Sequence, residues 1–200
     1  NPGNRGRHPL PTKESWINTI RSFGIDNSDQ VVLYDETGGS FAARAWWMFR
    51  WVGHEKVALL NGGWQAWEGP KSSGSNPKSY RSNFEIKSTL TKLITMQELK
   101  NNETAQLVDA RTLERWSGER EPIDRVSGHI PNAVCYPFAE NLEDGNRFKS
   151  ETELRLRFQD LNEPIVCYCG SGVTAAHNIL SLKIAGFSEP TLYAGSWSEW

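Results

Sequence analysis

The chain has 200 residues, 38% of them apolar and 11% aromatic, which is enough for one large or two small packed domains and marks it as globular. Its 22 basic and 24 acidic residues leave a net charge of −2 with no long single-sign run, so neither nucleic acid nor a membrane is an expected partner. No apolar run approaches the ~18 residues of a membrane span, no secretory leader pattern opens the chain, and three cysteines are too few and too unevenly placed for a disulfide framework; a reducing, cytoplasmic setting is expected.

Residues 1–11 are rich in Gly, Pro and Arg and read as loop. Thr12 is the expected N-cap of an amphipathic helix carrying Trp16, Ile17, Ile20 and Phe23 on its apolar side and stopping at Gly24. A strand is expected at residues 31–34, then a loop, then a helix over 40–52 that is apolar nearly all round and should be buried. A second strand follows at 57–60. Residues 71–92 lose all periodicity and turn to Gly, Pro, Ser, Asn and Lys, the composition of a linker. Beyond it come a short helix at 95–101, a strand at 106–110, an Arg-rich loop at 111–126, a helix at 151–161, and the apolar run Ile165-Val166-Cys167-Tyr168. Strands alternating with helices point to an α/β fold of parallel βαβ units.

The chain repeats itself. Val31-Val32-Leu33-Tyr34-Asp35 aligns with Ile165-Val166-Cys167-Tyr168-Cys169 at an offset of 134, and Gly53, Gly63, Trp64 and Trp67 align with Gly186, Ser196, Trp197 and Trp200 at 133. Two copies of one fold are therefore expected, over residues 1–70 and 93–200. The opening strands of the first copy are expected to precede Asn1, since half a parallel sheet cannot bury its apolar helix alone. Asp35 stands where the second copy has Cys169, and a carboxylate cannot serve as a sulfur nucleophile, so the first copy should be silent.

Cys169-Gly170-Ser171-Gly172-Val173-Thr174 links the last of these strands to a helical pattern. Glycines at 170 and 172 allow φ angles that other residues resist, so successive N–H groups can aim at the Cys169 sulfur at a helix N-terminus and favour its thiolate. A buried strand-end cysteine is the plainer reading. Among chemistries, phosphoryl transfer is disfavoured because position 175, where a cysteine phosphatase has its clamping arginine, is alanine. Thiol–disulfide exchange between Cys167 and Cys169 and sulfur transfer through a Cys169 persulfide both remain open. His129, His54 and His177 read as structural, no metal-ligand spacing is present, and the tryptophans at 46, 47, 51, 64 and 67 read as core and interface packing.

The Cys169–Thr174 segment, with Gly128-His129-Ile130-Pro131 before it and Gly195-Ser196-Trp197 after it, resembles the tandem-domain rhodanese/3-mercaptopyruvate sulfurtransferase family over nearly the whole chain. The resemblance implies two rhodanese-like domains, each a mainly parallel sheet flanked by helices, with the first incomplete here and Cys169 of the second as the persulfide-forming nucleophile. It further implies donor binding by the loop residues Gly170, Gly172, Val173 and Thr174 and by Arg115. A second family arginine, in Glu-Pro-Arg, meets Glu121-Pro122-Ile123, leaving Arg120 or Arg125 as substitutes. Ser171 and His8 resemble two members of a hydrolase-like triad whose aspartate is expected to lie before Asn1. Gly170-Ser171-Gly172 in place of Arg and Lys implies 3-mercaptopyruvate rather than thiosulfate as donor, with cyanide, a thiol or a thioredoxin-like protein as acceptor, no cofactor, and a monomeric enzyme. The alternatives are a thiosulfate-preferring rhodanese and a non-catalytic sulfur- or partner-binding module; the intact Cys169 loop argues against the second.

Overall fold

A computed structural model describes residues 5–74, 82–102, 104–144 and 146–200. Helix α1 (Lys13–Ser22) is capped by Thr12, whose hydroxyl accepts the Ser15 N–H at 3.1 Å, and it buries Ile17 and Ile20. Phe23, expected on that buried face, is the C-cap residue beyond the last turn and is 63% exposed. Strands β1 (Val31–Leu33) and β2 (Val57–Leu59) pair in parallel across α2 (Ser40–Trp51).

The second unit holds β3 (Lys92–Leu93), α3 (Met96–Lys100), β4 (Gln106–Asp109), α4 (Leu113–Ser117), β5 (Val134–Cys135), a small antiparallel pair β6 (Leu142–Glu143) and β7 (Arg147–Phe148), α5 (Glu151–Arg157), β8 (Ile165–Tyr168), α6 (Thr174–Ile184), β9 (Thr191–Leu192) and α7 (Ser196–Glu199). Its main sheet has the order β3-β9-β8-β4-β5, parallel throughout, with β8 central and buried at every residue. Burial on both faces is why β8 reads as a continuous apolar run. The expected loop at 111–126 holds α4, and the helix expected to reach residue 161 ends at Arg157. No helix among the described residues is long and apolar enough to cross a membrane.

The apolar helix that half a sheet could not cover is covered by the other unit. Helix α2 packs on α6, and Trp46, Trp47 and Phe49 share one contiguous core with Ile179, Leu182 and Leu192. At about 1.5–3 kcal/mol per fully buried large apolar side chain, this shared core is the main term joining the units. The exceptions are at its rim: Phe41 is 61% exposed and Trp67, expected in the tryptophan packing, is 40% exposed. His177 of α6 adds a polar tie, its Nε2 3.1 Å from the Gly38 carbonyl and its ring stacked on Phe148. Of the expected linker, residues 75–81 lie outside the described set. Residues 82–91 run against the first unit, where Phe84 is fully buried beside His54 and the Lys87 and Leu90 amides donate to Val52 and Arg50 carbonyls at 3.0 Å.

The sequence repeat is a repeat of hydrogen bonds. Leu60 N–H donates to Leu33 O at 2.8 Å, as Tyr193 N–H does to Cys167 O at 2.9 Å; Trp64 N–H donates to Asp35 O at 3.2 Å, as Trp197 N–H does to Cys169 O at 2.9 Å. Gly63 and Ser196 both take left-handed backbone, at φ +64° and +56°. In the first copy the Asp35 carboxylate fills the loop: Oδ1 accepts the Thr37 and Gly39 amides at 2.8 Å, and Oδ2 accepts those of Phe41 and Ala42 at 2.9 Å. Burial pushes its acidity one way, but these four amides outweigh it and hold the carboxyl below the usual carboxylate range. Replacing Asp35 by Ala strands four donors at the start of α2 and is expected to lower stability by about 2–3 kcal/mol, with Asp35→Asn losing less. Urea unfolding would measure it, and a loss below about 0.5 kcal/mol would contradict this account of the loop.

Candidate active site

Strand β8 delivers Cys169 to a loop held on one side by α7. Cys169 N–H donates to Ser196 Oγ at 3.1 Å, that hydroxyl donates to Tyr193 O at 3.0 Å, and Ser198 N–H donates to Gly170 O at 3.0 Å. The loop then curls over the sulfur, and Gly172 and Ser171 amides donate to Cys169 Sγ at 3.1 and 3.5 Å. This is the cradle the glycine spacing predicts. The amides of Val173, Thr174 and Ala175, at the start of α6, make no hydrogen bond among the described residues and remain available.

The two glycines serve different ends. Gly172 has φ +77°, and a Cβ there would lie 2.3 Å from Ala194 O, so only glycine fits. Gly170 lacks the left-handed backbone expected of it. A Cβ on Gly170 would instead lie 2.9 Å from Arg7 Nη2 and 3.2 and 3.4 Å from Arg115 Nη2 and Nη1, so its missing side chain makes room for two guanidinium groups.

Cys169 is the one cysteine whose sulfur receives backbone amides among the described residues. Cys167, two residues before it, is fully buried, and burial with the neighbouring Cys169 pushes its thiol far up. Burial and the Asp109 and Glu140 carboxylates push Cys135 up to about 12. Both stay as thiols at neutral pH, which weighs against a disulfide-exchange pair at Cys167 and Cys169.

From the first unit, His8 Nδ1 lies 2.8 Å from Ser171 Oγ, so the two residues that the sequence paired meet across 163 positions of chain. Burial, then the positive charges of Arg44 and Arg7, lower the His8 pKa, which favours a neutral ring able to accept the serine proton. Arg44 of α2 ties the pair down, its Nη1 donating to Gly172 O at 2.8 Å and its Nη2 to His8 O at 2.7 Å.

Arg115 lies at the loop as expected, but its Nε and Nη2 are already engaged, by Glu121 at 2.9–3.1 Å and by Asp124 at 3.0 Å. Glu121 also receives Arg111, whose fork grips the buried Asp109 at 2.7 Å. Burial opposes ionisation of Glu121, yet Arg115, the Ile123 amide and Arg111 hold its carboxyl below the usual range. Arg120 and Arg125 are exposed; Arg120 makes no side-chain hydrogen bond or ion pair among the described residues, while Arg125 lines the adjoining cleft. The guanidinium beside Arg115 at the loop is instead Arg7, paired with Asp124. A cleft of about 470 Å3 opens next to it, lined by Arg7, Ile123, Asp124, Val126, Trp197 and Trp200 among others. His129 closes the 111–130 segment, with Nδ1 2.7 Å from Trp116 O and its ring stacked on Trp116 at 4.2 Å. No group of three or more His, Cys, Asp or Glu among the described residues is placed to hold a metal ion.

Comparison with known proteins agrees across the chain. Residues 2–70 and 93–200 match the rhodanese-like domain family. A probable 3-mercaptopyruvate sulfurtransferase of Pseudomonas aeruginosa is 43% identical over 209 residues, covering 99% of this chain and 74% of that protein. A thiosulfate sulfurtransferase of Gallus gallus is 36% identical over 202 residues, covering 96% of this chain and 70% of its own length. Among solved structures, the 3-mercaptopyruvate sulfurtransferase from Leishmania major superposes with a TM-score of 0.81 at 30% identity, over 99% of this chain and 58% of that one.

The contrast between the glycines is testable. Gly172→Ala meets fixed backbone in a strained conformation and is expected to cost about 2–4 kcal/mol, whereas Gly170→Ala meets only movable guanidinium ends and is expected to cost less than about 1 kcal/mol. Denaturant midpoints of the two variants measure this, and equal losses would contradict the division of labour.

Proposed function

This chain belongs to the rhodanese family and is a sulfurtransferase, and from that premise we propose that it carries sulfur as a persulfide on Cys169, taken from 3-mercaptopyruvate and passed to a thiol or cyanide. The observation that carries this reading is the Gly172 amide 3.1 Å from Cys169 Sγ, in a loop whose counterpart already holds an anion. An aspartate side chain beyond Cβ is one carbon and a terminal oxygen; a cysteine persulfide is one sulfur and a terminal sulfur. Asp35 therefore sends its terminal atoms as many bonds into its loop as a persulfide on Cys169 would, with the longer C–S and S–S bonds carrying the sulfur somewhat further toward the helix start. The first copy spends the Gly39 and Phe41 amides on that carboxylate, and the corresponding Val173 and Ala175 amides are unspent. These donors suit a terminal sulfur anion and need no metal or general base to hold it.

In the proposed reaction the Cys169 thiolate attacks the donor sulfur, the carbon–sulfur bond breaks, and its electron pair leaves on the pyruvate enolate, which takes up the donor's thiol proton to give pyruvate. Ser171, hydrogen-bonded to His8, is suited to relay that proton. A second thiolate, on a small molecule or a thioredoxin-like protein, or cyanide then attacks the outer sulfur and releases Cys169 as thiolate. Arg7 and Arg115 meet at the loop already paired with Asp124 and Glu121, and a Cys169 thiolate adds a further negative charge, so little net positive charge is left for a dianion, which supports the monocarboxylate over thiosulfate. The three free cysteines support a reducing, cytoplasmic setting.

Two outcomes are expected. After incubation with 3-mercaptopyruvate, mass spectrometry should find one added sulfur on Cys169 and none in Cys169→Ser; sulfur retained on Cys167 or Cys135 would overturn the assignment. Because the pKa of His8 is lowered, its neutral form persists below pH 6.5, so the acid limb of kcat/KM should fall below that pH, and His8→Asn should lower kcat about 10–100-fold and remove the limb. A limb with its midpoint above pH 7 would count against His8.

A further inference from the structure

Two guanidinium nitrogens converge over Gly170 without a partner among the described residues. Arg7 Nη2 and Arg115 Nη1 lie 2.9 and 3.4 Å from one point, the position a Cβ on Gly170 would take, and neither nitrogen makes a hydrogen bond. Their sister atoms are both spent on Asp124: Arg7 Nη1 on Oδ1, and Arg115 Nη2 on Oδ2 at 3.0 Å. One buried-side carboxylate thus holds two like charges abreast and leaves the opposite corner of each fork facing the residue after the nucleophile.

We propose that Arg7, contributed by the first unit, is the second cation of the donor site and that it and Arg115 together seat the donor's carboxylate. The inference rests on the reading of 3-mercaptopyruvate as donor and assigns where its carboxylate is held. A carboxylate bridging Arg7 Nη2 and Arg115 Nη1 accepts a charge-assisted bond on each oxygen and lies directly above the loop, with the rest of a three-carbon donor extending toward the adjacent Cys169.

The chain is built to bring Arg7 there. Gly6, at φ +79°, packs so closely on α7 that a Cβ would lie 2.5 Å from Gly195 O, and the Arg7 amide donates to Ser198 Oγ at 3.0 Å. Ser198 N–H in turn donates to Gly170 O, so the Arg7 backbone is one residue removed from the loop it serves. Burial and the neighbouring Arg115 lower the Arg7 pKa, the sign of a cation held beside a like charge that an incoming anion would relieve. Ile123 of the adjoining cleft offers no charge, and Arg125, the other arginine that lines it, is not among the groups nearest Gly170, where Arg7 and Arg115 lie. Both arginine side chains stay open to an entering ligand, 31% and 16% exposed.

The test compares 3-mercaptopyruvate with mercaptoacetone, the same thiol ketone with methyl in place of the carboxylate, on the full chain. Arg7→Met is expected to raise KM for 3-mercaptopyruvate about tenfold or more, to leave kcat within about threefold, and to leave KM for mercaptoacetone unchanged; inhibition by pyruvate should weaken in parallel. Arg7→Lys keeps the charge without the fork and should recover part of the loss, with thermal unfolding confirming that both variants are folded. An unchanged KM for 3-mercaptopyruvate in Arg7→Met, or an equal rise for both donors, would overturn the inference while leaving the function intact. A wild-type protein that turns over thiosulfate but not 3-mercaptopyruvate would overturn the donor reading, and this seat with it.

Discussion

The backbone N–H groups of Ser171 and Gly172 aim at one sulfur atom, and most of the second unit exists to keep them aimed. The geometry needs a strand that ends at Cys169, a left-handed Gly172 pressed on Ala194, and a helix that begins at Thr174. The buried central β8 supplies the first, and Ser196, itself in left-handed backbone, fixes the Cys169 amide from the far side. The first unit repeats the same strand, loop and helix but closes it with the Asp35 carboxylate. One fold thus carries both a filled and an open version of the same anion cradle. The carboxylate satisfies the start of its own helix, whereas the Cys169 loop leaves the amides there free, which is why the proposed sulfur chemistry is assigned to the open copy.

A second consequence is that the site belongs to both units. Helix α2 packs on α6 through the shared core, and that contact sets the distance at which Arg44 can reach Gly172 O and His8 O together. His8 and Arg7 come from an irregular segment anchored by Gly6 against Gly195 and by Leu10 on the core, and they are placed by hydrogen bonds to Ser171, Arg44 and Ser198. A site shared in this way couples catalytic geometry to the docking of the units: a loosened α2–α6 contact would disturb the loop without touching Cys169.

Much of this was legible in the sequence, and the remainder was illegible for definite reasons. The apolar run at β8, the Thr12 cap, the glycine spacing after Cys169 and the repeat that set Asp35 against Cys169 are local patterns, and local patterns survive without coordinates. Two-residue strands such as β3, β5 and β9 carry no period that sequence can register. Arg7 and Arg44 act through approaches across more than a hundred residues, and nothing in their neighbours announces it. In the sequence Gly170 reads as conformational, because glycine signals freedom of φ more readily than it signals vacated space. Arg120 and Arg125 stood out by proximity in sequence to a loop motif, whereas the place at the loop went to a residue from the other unit.

A crystal structure of the protein after brief exposure to 3-mercaptopyruvate tests the central claim most directly. The account predicts one extra sulfur bonded to Cys169 Sγ, with its terminal atom within hydrogen-bond distance of the amides of the loop and of the first turn of α6, where Asp35 places its oxygens in the first unit. An unmodified Cys169, or a modified one whose outer sulfur turns away from those amides, would contradict it.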